Sequence, residues 1–357
     1  MTGPRLHNTK ADQIIASRKL DHLRSIQDDA GTERHASGFD ALQLTHRALP
    51  ELDFDAVDTR TRFLGKELSF PLLISSMTGG TGPEVARINE NLARAAQASG
   101  VAMAVGSQRV MFRQPEARQS FELRNIAPDI PLISNIGAVQ LRAGFGAQEC
   151  LQSVEVLGAD GLYLHLNPLQ EVVQPEGDRD FSNLAALIAD LVPQMPVPVL
   201  LKEVGAGLSP ADIQLGLAAG IRHFDVAGRG GTSWSRIEYH RRTDPSDDLG
   251  LLFQDWGLTT VQALRLARPL LDKAGQNTTL IASGGLRSGI DMAKAIILGA
   301  DICGMAAPFL AAARQSADDV IAVIERIKRE FQTALFLLGC ADCAALQGND
   351  ALLLRAE

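Results

Sequence analysis

The stretch GLYLHLNP (161–168) is apolar over most of its length and closes on polar groups. In an extended chain Leu162, Leu164 and Leu166 take one face, while Tyr163, His165 and Asn167 take the other. A run that is nearly continuously apolar reads as a strand buried on both sides, as in parallel sheets covered by helices. Seven further runs have the same form: FPLLISSMTGG (70–80), VAMAVGSQR (101–109), PLISNIG (131–137), PVLLKEVG (198–205), HFDVAG (223–228), TLIASGG (279–285) and ICGMAA (302–307).

Amphipathic segments separate these runs. PEVARINENLARAAQASG places Val85, Ile88, Leu92 and Ala95 at helical spacing and stops at Gly100. GIDMAKAIILGAD repeats the pattern before the last strand, and ADDVIAVIERIKREFQTALFLLG supplies a closing helix. Eight strand–helix units in one chain predict an α/β fold, a closed (β/α)8 TIM barrel, over an open doubly wound sheet. The barrel is expected over 70–357. Residues 1–69 form a charged N-terminal cap of helices and a loop that also serves substrate binding. A long loop insertion, 229–257, follows the sixth strand, where such length is usually functional. The whole reads as a single domain.

The chain has 357 residues, 46 % of them hydrophobic, enough for one large core. Lys and Arg number 34 against 42 Asp and Glu, a net charge of −8, which excludes a broad basic field for a phosphate backbone and so a nucleic-acid partner. The opening residues contain no apolar leader, and no run approaches the length of a membrane span, so a cytoplasmic protein without a membrane partner is expected. Cys150, Cys303, Cys340 and Cys343 suit a reducing compartment. Cys340 and Cys343 form a lone CxxC without the two further ligands of a zinc site, and an ordinary helix end is the default reading.

Active sites of such barrels lie at the C-terminal ends of the strands. Here nearly every run ends in polar groups. HLNPLQE (165–171) is the densest, with an imidazole, two amides and a carboxylate and no Ser, Cys or Lys to act as a nucleophile. SGGLRSGID (283–291) follows the seventh run and opens a helix; backbone N–H groups there and after the eighth run, together with a helix N-terminus, suit a phosphate. Lys202 has two readings: a Schiff-base lysine, or a positive charge beside a flavin ring. Its neighbour Glu203 favours a charged lysine, which weakens the first. Asn135 and Thr78 offer hydrogen-bonding edges to a planar ring. SRKLDH brings Arg18, Lys19 and His22 together, with Arg18 and His22 one helical turn apart. They read either as solvated charge or as a second anion site that Arg109 would join. Glu171 suits a Mg2+ ion bridging to a diphosphate.

Taken together, these motifs resemble the type 2 isopentenyl-diphosphate isomerases, which are flavin-dependent. The resemblance is carried by RKxxH (18–22), MTGG (77–80), GSQR (106–109), NIGA (135–138), HLNPLQE, QPEGDRDF (174–181), KEVG (202–205), AGRGGTSW (227–234) and SGGLRSGxDxAKAIxLGAD (283–301). It implies a barrel holding reduced FMN, with NADPH as reductant and Mg2+, and a homo-oligomer, tetramer or octamer. It implies interconversion of isopentenyl and dimethylallyl diphosphate in isoprenoid precursor biosynthesis. FMN would meet Ser76, Met77, Thr78, Ser107, Asn135, Lys202, Thr232, Gly284, Gly285, Ala306 and Ala307. The diphosphate substrate would meet Arg18, Lys19, His22, Ser107, Gln108, Arg109, His165, Asn167 and Gln170. Gln170, His165 and Asn167 would serve catalysis, and Glu171 would bind the metal. Ala227 departs from the pattern, standing where some relatives have a serine beside the flavin phosphate; a backbone contact survives that change and a hydroxyl contact does not.

The missing nucleophile suits such chemistry. Moving the double bond means adding a proton at the terminal methylene and removing one nearer the diphosphate, through a tertiary cation that a nucleophile would trap. Reduced FMN would be the principal acid–base group, with Gln170 placing or relaying the proton. Three alternatives remain: an FMN-dependent oxidoreductase of the 2-hydroxy-acid oxidase kind, a Schiff-base lyase using Lys202, and a non-catalytic protein that binds a phosphate ligand.

Overall fold

In the computed structural model, described at residues 22, 25–26, 28–77, 79–242, 244, 246–275 and 277–354, the eight expected runs form one closed parallel barrel. A two-stranded hairpin comes first, β1 (Thr61–Phe63) and β2 (Lys66–Leu68). The barrel strands are β3 (Leu72–Ile74), β4 (Ala102–Ala104), β5 (Leu132–Gly137), β6 (Gly161–Leu166), β7 (Val199–Glu203), β8 (His223–Asp225), β9 (Thr279–Ser283) and β10 (Ile302–Met305). Each pairs with the next, and β10 closes onto β3.

The alternation read in GLYLHLNP holds. Leu162 and Leu164 point out into the layer between strands and helices, and Tyr163 points inward with Leu73, Ala102, Ile133, Leu200, Ile281 and Ile302. The interior is thus a packed apolar layer, and on β5 to β9 the next inward position toward the strand end is polar: Asn135, His165, Lys202, Asp225 and Ser283. The core ends where the chemistry begins.

The helix Pro83–Ser99 buries Val85, Ile88, Leu92 and Ala95 and ends at Gly100, whose left-handed φ of 63° suits a residue without a Cβ. The closing helix Ala317–Leu338 packs on it and on the helix Gly289–Ile297. The described part of the N-terminal region has short helical turns at Ala30–Thr32, Phe39–Ala41 and Phe54–Ala56, and adds a hairpin not expected from the sequence. Its β1–β2 hairpin plugs the barrel's far end, where buried Phe63 and Leu68 cap the interior layer. Burying each contributes about 1.5–3 kcal/mol. Residues 29–34 instead run to the site end, where Glu33 bridges to Thr232.

The CxxC lies at a helix end. Cys340 follows Gly339, which caps the closing helix, and Cys343 begins a short turn of helix with its Sγ on the Thr59 carbonyl at 3.3 Å. Burial pushes the Cys343 thiol up to about 12. No helix among the described residues is long and apolar enough to cross a membrane.

Candidate active site

A cavity of about 470 Å³ opens at the C-terminal ends of the barrel strands, a size that suits a cofactor with a small substrate. Ser76, Met77, Ser107, Arg109, Asn135, His165, Asn167, Gln170, Glu171, Lys202, Thr232, Gly284, Gly285, Ala306 and Ala307 all line it, as does His22. Arg18, Lys19 and Thr78 lie outside the described residues. Gln108 is not brought to the cavity. It is fully buried, its Nε2 donating to the Ser153 carbonyl at 2.9 Å and its Oε1 accepting from the Ser134 hydroxyl and the Asn135 N–H. Its amide therefore braces β5 instead of facing a substrate.

On the cavity floor Asn135 donates to Ser76 Oγ and the Val105 carbonyl, both at 3.0 Å, which fixes its amide orientation. Its Oδ1 then meets His165 Nδ1 at 2.7 Å, so that ring nitrogen carries a proton. Lys202 is buried, with Nζ 2.9 Å from Asp225 Oδ2 and 3.1 Å from Ser283 Oγ. This corrects the expectation that Glu203 is its charge partner. Successive strand residues face opposite sides, and Glu203 turns outward to accept N–H bonds from Val204, Gly205, Ala206 and Gly207. Burial, only partly offset by those four donors, pushes Glu203 up to about 7.

HLNPLQE bends from β6 into the short helix Pro168–Val173. Asn167 Nδ2 donates to Gln170 Oε1 at 3.1 Å and Glu171 Oε1 at 2.9 Å, so one amide sets two neighbours. The Glu171 carboxylate also accepts from Gln174 Nε2 at 2.6 Å and the Asp178 N–H at 2.7 Å. Burial raises its pKa, and the Asp178 and Asn167 donors offset this only in part. Arg109 reaches the same corner, its Nη1 2.6 Å from Asp178 Oδ2.

Sequence reasoning missed the roof. Glu238, in the helix Trp234–His240 of the post-β8 insertion, is wholly buried. Its Oε1 accepts from Gln170 Nε2 at 2.9 Å and meets His22 Nε2 at 3.1 Å, and its Oε2 pairs with Arg241. Burial pushes its pKa up, but the His22 hydrogen bond and charge, with Arg241 and Gln170, outweigh that and hold it at about 2. The His22 ring also stands edge-on to Trp234, with centroids 5.2 Å apart. The signal available in the sequence was the length of the insertion, not any one residue in it.

At the other end of the cavity, Gly284 and Gly285 have φ of +101° and +82°. A Cβ on Gly284 would stand 2.0 Å from the Gly228 carbonyl oxygen, and one on Gly285 would stand 2.5 Å from that of Gly230. The backbone is therefore packed as only glycine permits, and a turn of this kind could cradle a phosphate. The expected helix N-terminus after β9 is spent. Ser288 and Asp291 form a capping box, and Glu330 takes the Gly289 N–H. The helix N-terminus that opens at the cavity is the next one, Ala307–Gln315, which no side chain caps. Arg287, also missed, lines this end paired with Glu33, which accepts the Thr232 hydroxyl as well.

These features fit FMN: a glycine cradle, an uncapped helix end and Arg287 for a phosphate, with Asn135 and Lys202 on the floor for a ring. They also fit a hard cation completed by substrate. Glu171 has about one lone-pair site left beyond its three donors, and beside it Asn167 Oδ1 is buried with no hydrogen-bond partner. Among the described residues no cluster of three His, Cys, Asp or Glu makes a metal site by protein alone.

Comparison with known proteins supports the same reading. The FMN-dependent dehydrogenase family matches residues 11–113 and 133–352. An isopentenyl-diphosphate delta-isomerase of Paracoccus zeaxanthinifaciens is 66 % identical over 96 % of this chain and 98 % of its own. One of Hydrogenovibrio crunogenus is 57 % identical over 96 % and 99 %. Among solved structures, the flavin-binding domain of baker's yeast flavocytochrome b2 superposes with a TM-score of 0.65 at 18 % identity, covering 90 % of this chain and 78 % of that one. That likeness is one of fold.

Proposed function

The chain belongs to the isopentenyl-diphosphate delta-isomerases, within the wider FMN-dependent dehydrogenase family, and we propose that it moves the double bond with a proton path built on Gln170 and Glu238. It is an isomerase that interconverts isopentenyl and dimethylallyl diphosphate. Reduced FMN, when bound, supplies an electron-rich ring and a proton-exchanging edge. The rest of the reading concerns what the protein's own side chains do.

The observation that carries it is the fixed amide of Gln170. Its nitrogen is held by a carboxylate that stays charged and its oxygen by Asn167, so it can orient a proton without becoming a nucleophile. Lys202 is equally restrained. An ammonium pinned by Asp225 and Ser283 has no free lone pair to trap a cation or form a Schiff base. Arg109 and His165 would grip the diphosphate directly, with Ser107 also lining the cavity; Asn167, whose Nδ2 protons go to Gln170 and Glu171, would act on it through the metal. Glu171 and Asn167 Oδ1 would hold Mg2+ against it, His22 lines the same cavity, and Arg18 and Lys19 are further candidates to meet the diphosphate charge.

NADPH as reductant, a cytoplasmic setting and a homo-oligomer complete the proposal. The last is supported by an apolar surface groove whose lining includes the exposed side chains Val172, Leu215 and Trp256.

The test is an anaerobic assay of isopentenyl diphosphate with FMN, NADPH and Mg2+, following both product and NADPH. One reduction per flavin followed by many turnovers is expected. NADPH consumed with every turnover would move the protein to the oxidoreductases, and a borohydride-trapped lysine adduct would move it to the lyases.

A further inference from the structure

Asp225 ends β8 beneath the cavity floor with no exposed surface. Its Oδ2 accepts from Lys202 Nζ at 2.9 Å and from the Tyr163 hydroxyl at 3.0 Å. Its Oδ1 accepts from the Ser283 hydroxyl and from the Ala227 N–H at 3.2 Å. Four donors fill the roughly four lone-pair sites of an ionised carboxylate. Ser283 also accepts from Lys202 at 3.1 Å, which closes a ring of three side chains. Tyr163 lies under the lysine as well, with Nζ 5.7 Å from its ring centroid.

The ammonium has three N–H donors. Two are committed to Asp225 and Ser283, and Lys202 lines the cavity, so the third is left for whatever occupies the floor. The lysine is therefore not a bare positive charge. It is one half of a buried pair with little net charge, holding one donor at a fixed angle.

We propose that Asp225 is a positioning residue: it aims the remaining N–H of Lys202 at the ring bound on the cavity floor and, by offsetting the lysine's charge, sets how strongly the site favours negative charge on that ring. This rests on reading the cavity as an FMN site. Removing the counter-charge leaves Lys202 uncompensated in a low-dielectric setting, where its attraction for a negative ring is larger. The reduced, electron-rich ring gains more from this than the oxidised ring.

The test is the two-electron midpoint potential of bound FMN, with the FMN dissociation constant measured alongside. Asp225→Asn is nearly isosteric and can still accept from Lys202 and Tyr163. It is expected to bind FMN and to favour the reduced form by at least about tenfold, a positive shift of about 30 mV. In a Lys202→Met background the same substitution is expected to produce no shift. Tyr163→Phe removes a neutral donor and leaves the carboxylate's charge less shared, so its potential is expected to move the opposite way.

An unchanged potential in Asp225→Asn with FMN bound, including one caused by a lysine that gives up its proton, overturns the proposal. So does a shift that persists without Lys202. If Asp225→Asn does not fold, an unmoved potential in Tyr163→Phe overturns it instead. Failure of the unaltered protein to bind FMN would strike the reading of the cavity, which is a separate result.

Discussion

Gln170 and Glu238 stand 68 residues apart in the chain, yet the Gln170 amide nitrogen lies 2.9 Å from Glu238 Oε1 over the cavity. The same oxygen meets His22 at 3.1 Å, so one carboxylate ties HLNPLQE to the N-terminal region through the helix Trp234–His240.

That shared oxygen makes Glu238→Gln a sharper probe than Gln170→Ala. The substitution keeps size but removes the charge that orients both partners. We expect kcat to fall by roughly 10²- to 10⁴-fold, the range for losing a positioned proton-transfer group, with FMN affinity unchanged because Glu238 lies away from the glycine cradle. Gln170→Ala should lose kcat over the same range, and the double variant should be no worse than the poorer single one. Single-turnover and steady-state rates check this; additive losses would separate the two residues.

Magnesium gives a second prediction. Glu171 is buried among donors with raised pKa, so its charge is poorly served by the protein alone. Glu171→Gln should abolish the dependence of turnover on Mg2+ concentration and leave a residual rate at least about tenfold lower. Without metal or substrate, its melting temperature should fall little. A variant that still titrates with Mg2+ like the unaltered protein would place the ion elsewhere.

A third concerns the cradle. Gly284→Ala puts a Cβ 2.0 Å from the Gly228 carbonyl oxygen at a φ of +101°. Neither backbone can yield without opening the turn, so strain of about 1–3 kcal/mol is expected, read as a lower urea midpoint and lost flavin absorbance after gel filtration. Ala227→Gly works the other way. Ala227 already sits at φ +37°, and glycine there should relieve up to about 1 kcal/mol while leaving FMN binding intact.

How much of this was legible in the sequence depends on how far apart the partners lie. The barrel was readable because each parallel strand carries its own burial pattern, and the inward positions of Tyr163, His165 and Lys202 follow from alternation within single runs. The β1–β2 plug was not, since Phe63 and Leu68 gain meaning only from the interior layer they meet. HLNPLQE announced itself by local density. Glu238, Arg287 and the role of Asp225 did not, because their partners lie 68, 254 and 23 residues away. The error over Lys202 has a simple cause: sequence adjacency suggested Glu203, whereas strand geometry puts neighbours on opposite faces. The helix after SGG misleads similarly: its first N–H groups look free for a ligand in the sequence, but Ser288, Asp291 and Glu330 take them.

Glu203 supplies the last prediction, one of pH. Its carboxyl titrates near 4.5 when unperturbed and at about 7 in the fold, chiefly through burial. A raised carboxyl binds its proton more tightly folded than unfolded, so folding loses stability as pH rises from about 4.5 through about 7 and is level beyond. Glu203→Gln removes this dependence and keeps one carbonyl oxygen that can take the place of Oε2 before the four backbone N–H groups, so it resembles the protonated native carboxyl. The two proteins should therefore be similar below pH 5, where the native carboxyl is protonated, and the variant should be the more stable toward pH 8. Urea midpoints measured across that range check the sign. A native protein that gained on the variant as pH rose would mean that the four N–H donors, not burial, govern Glu203.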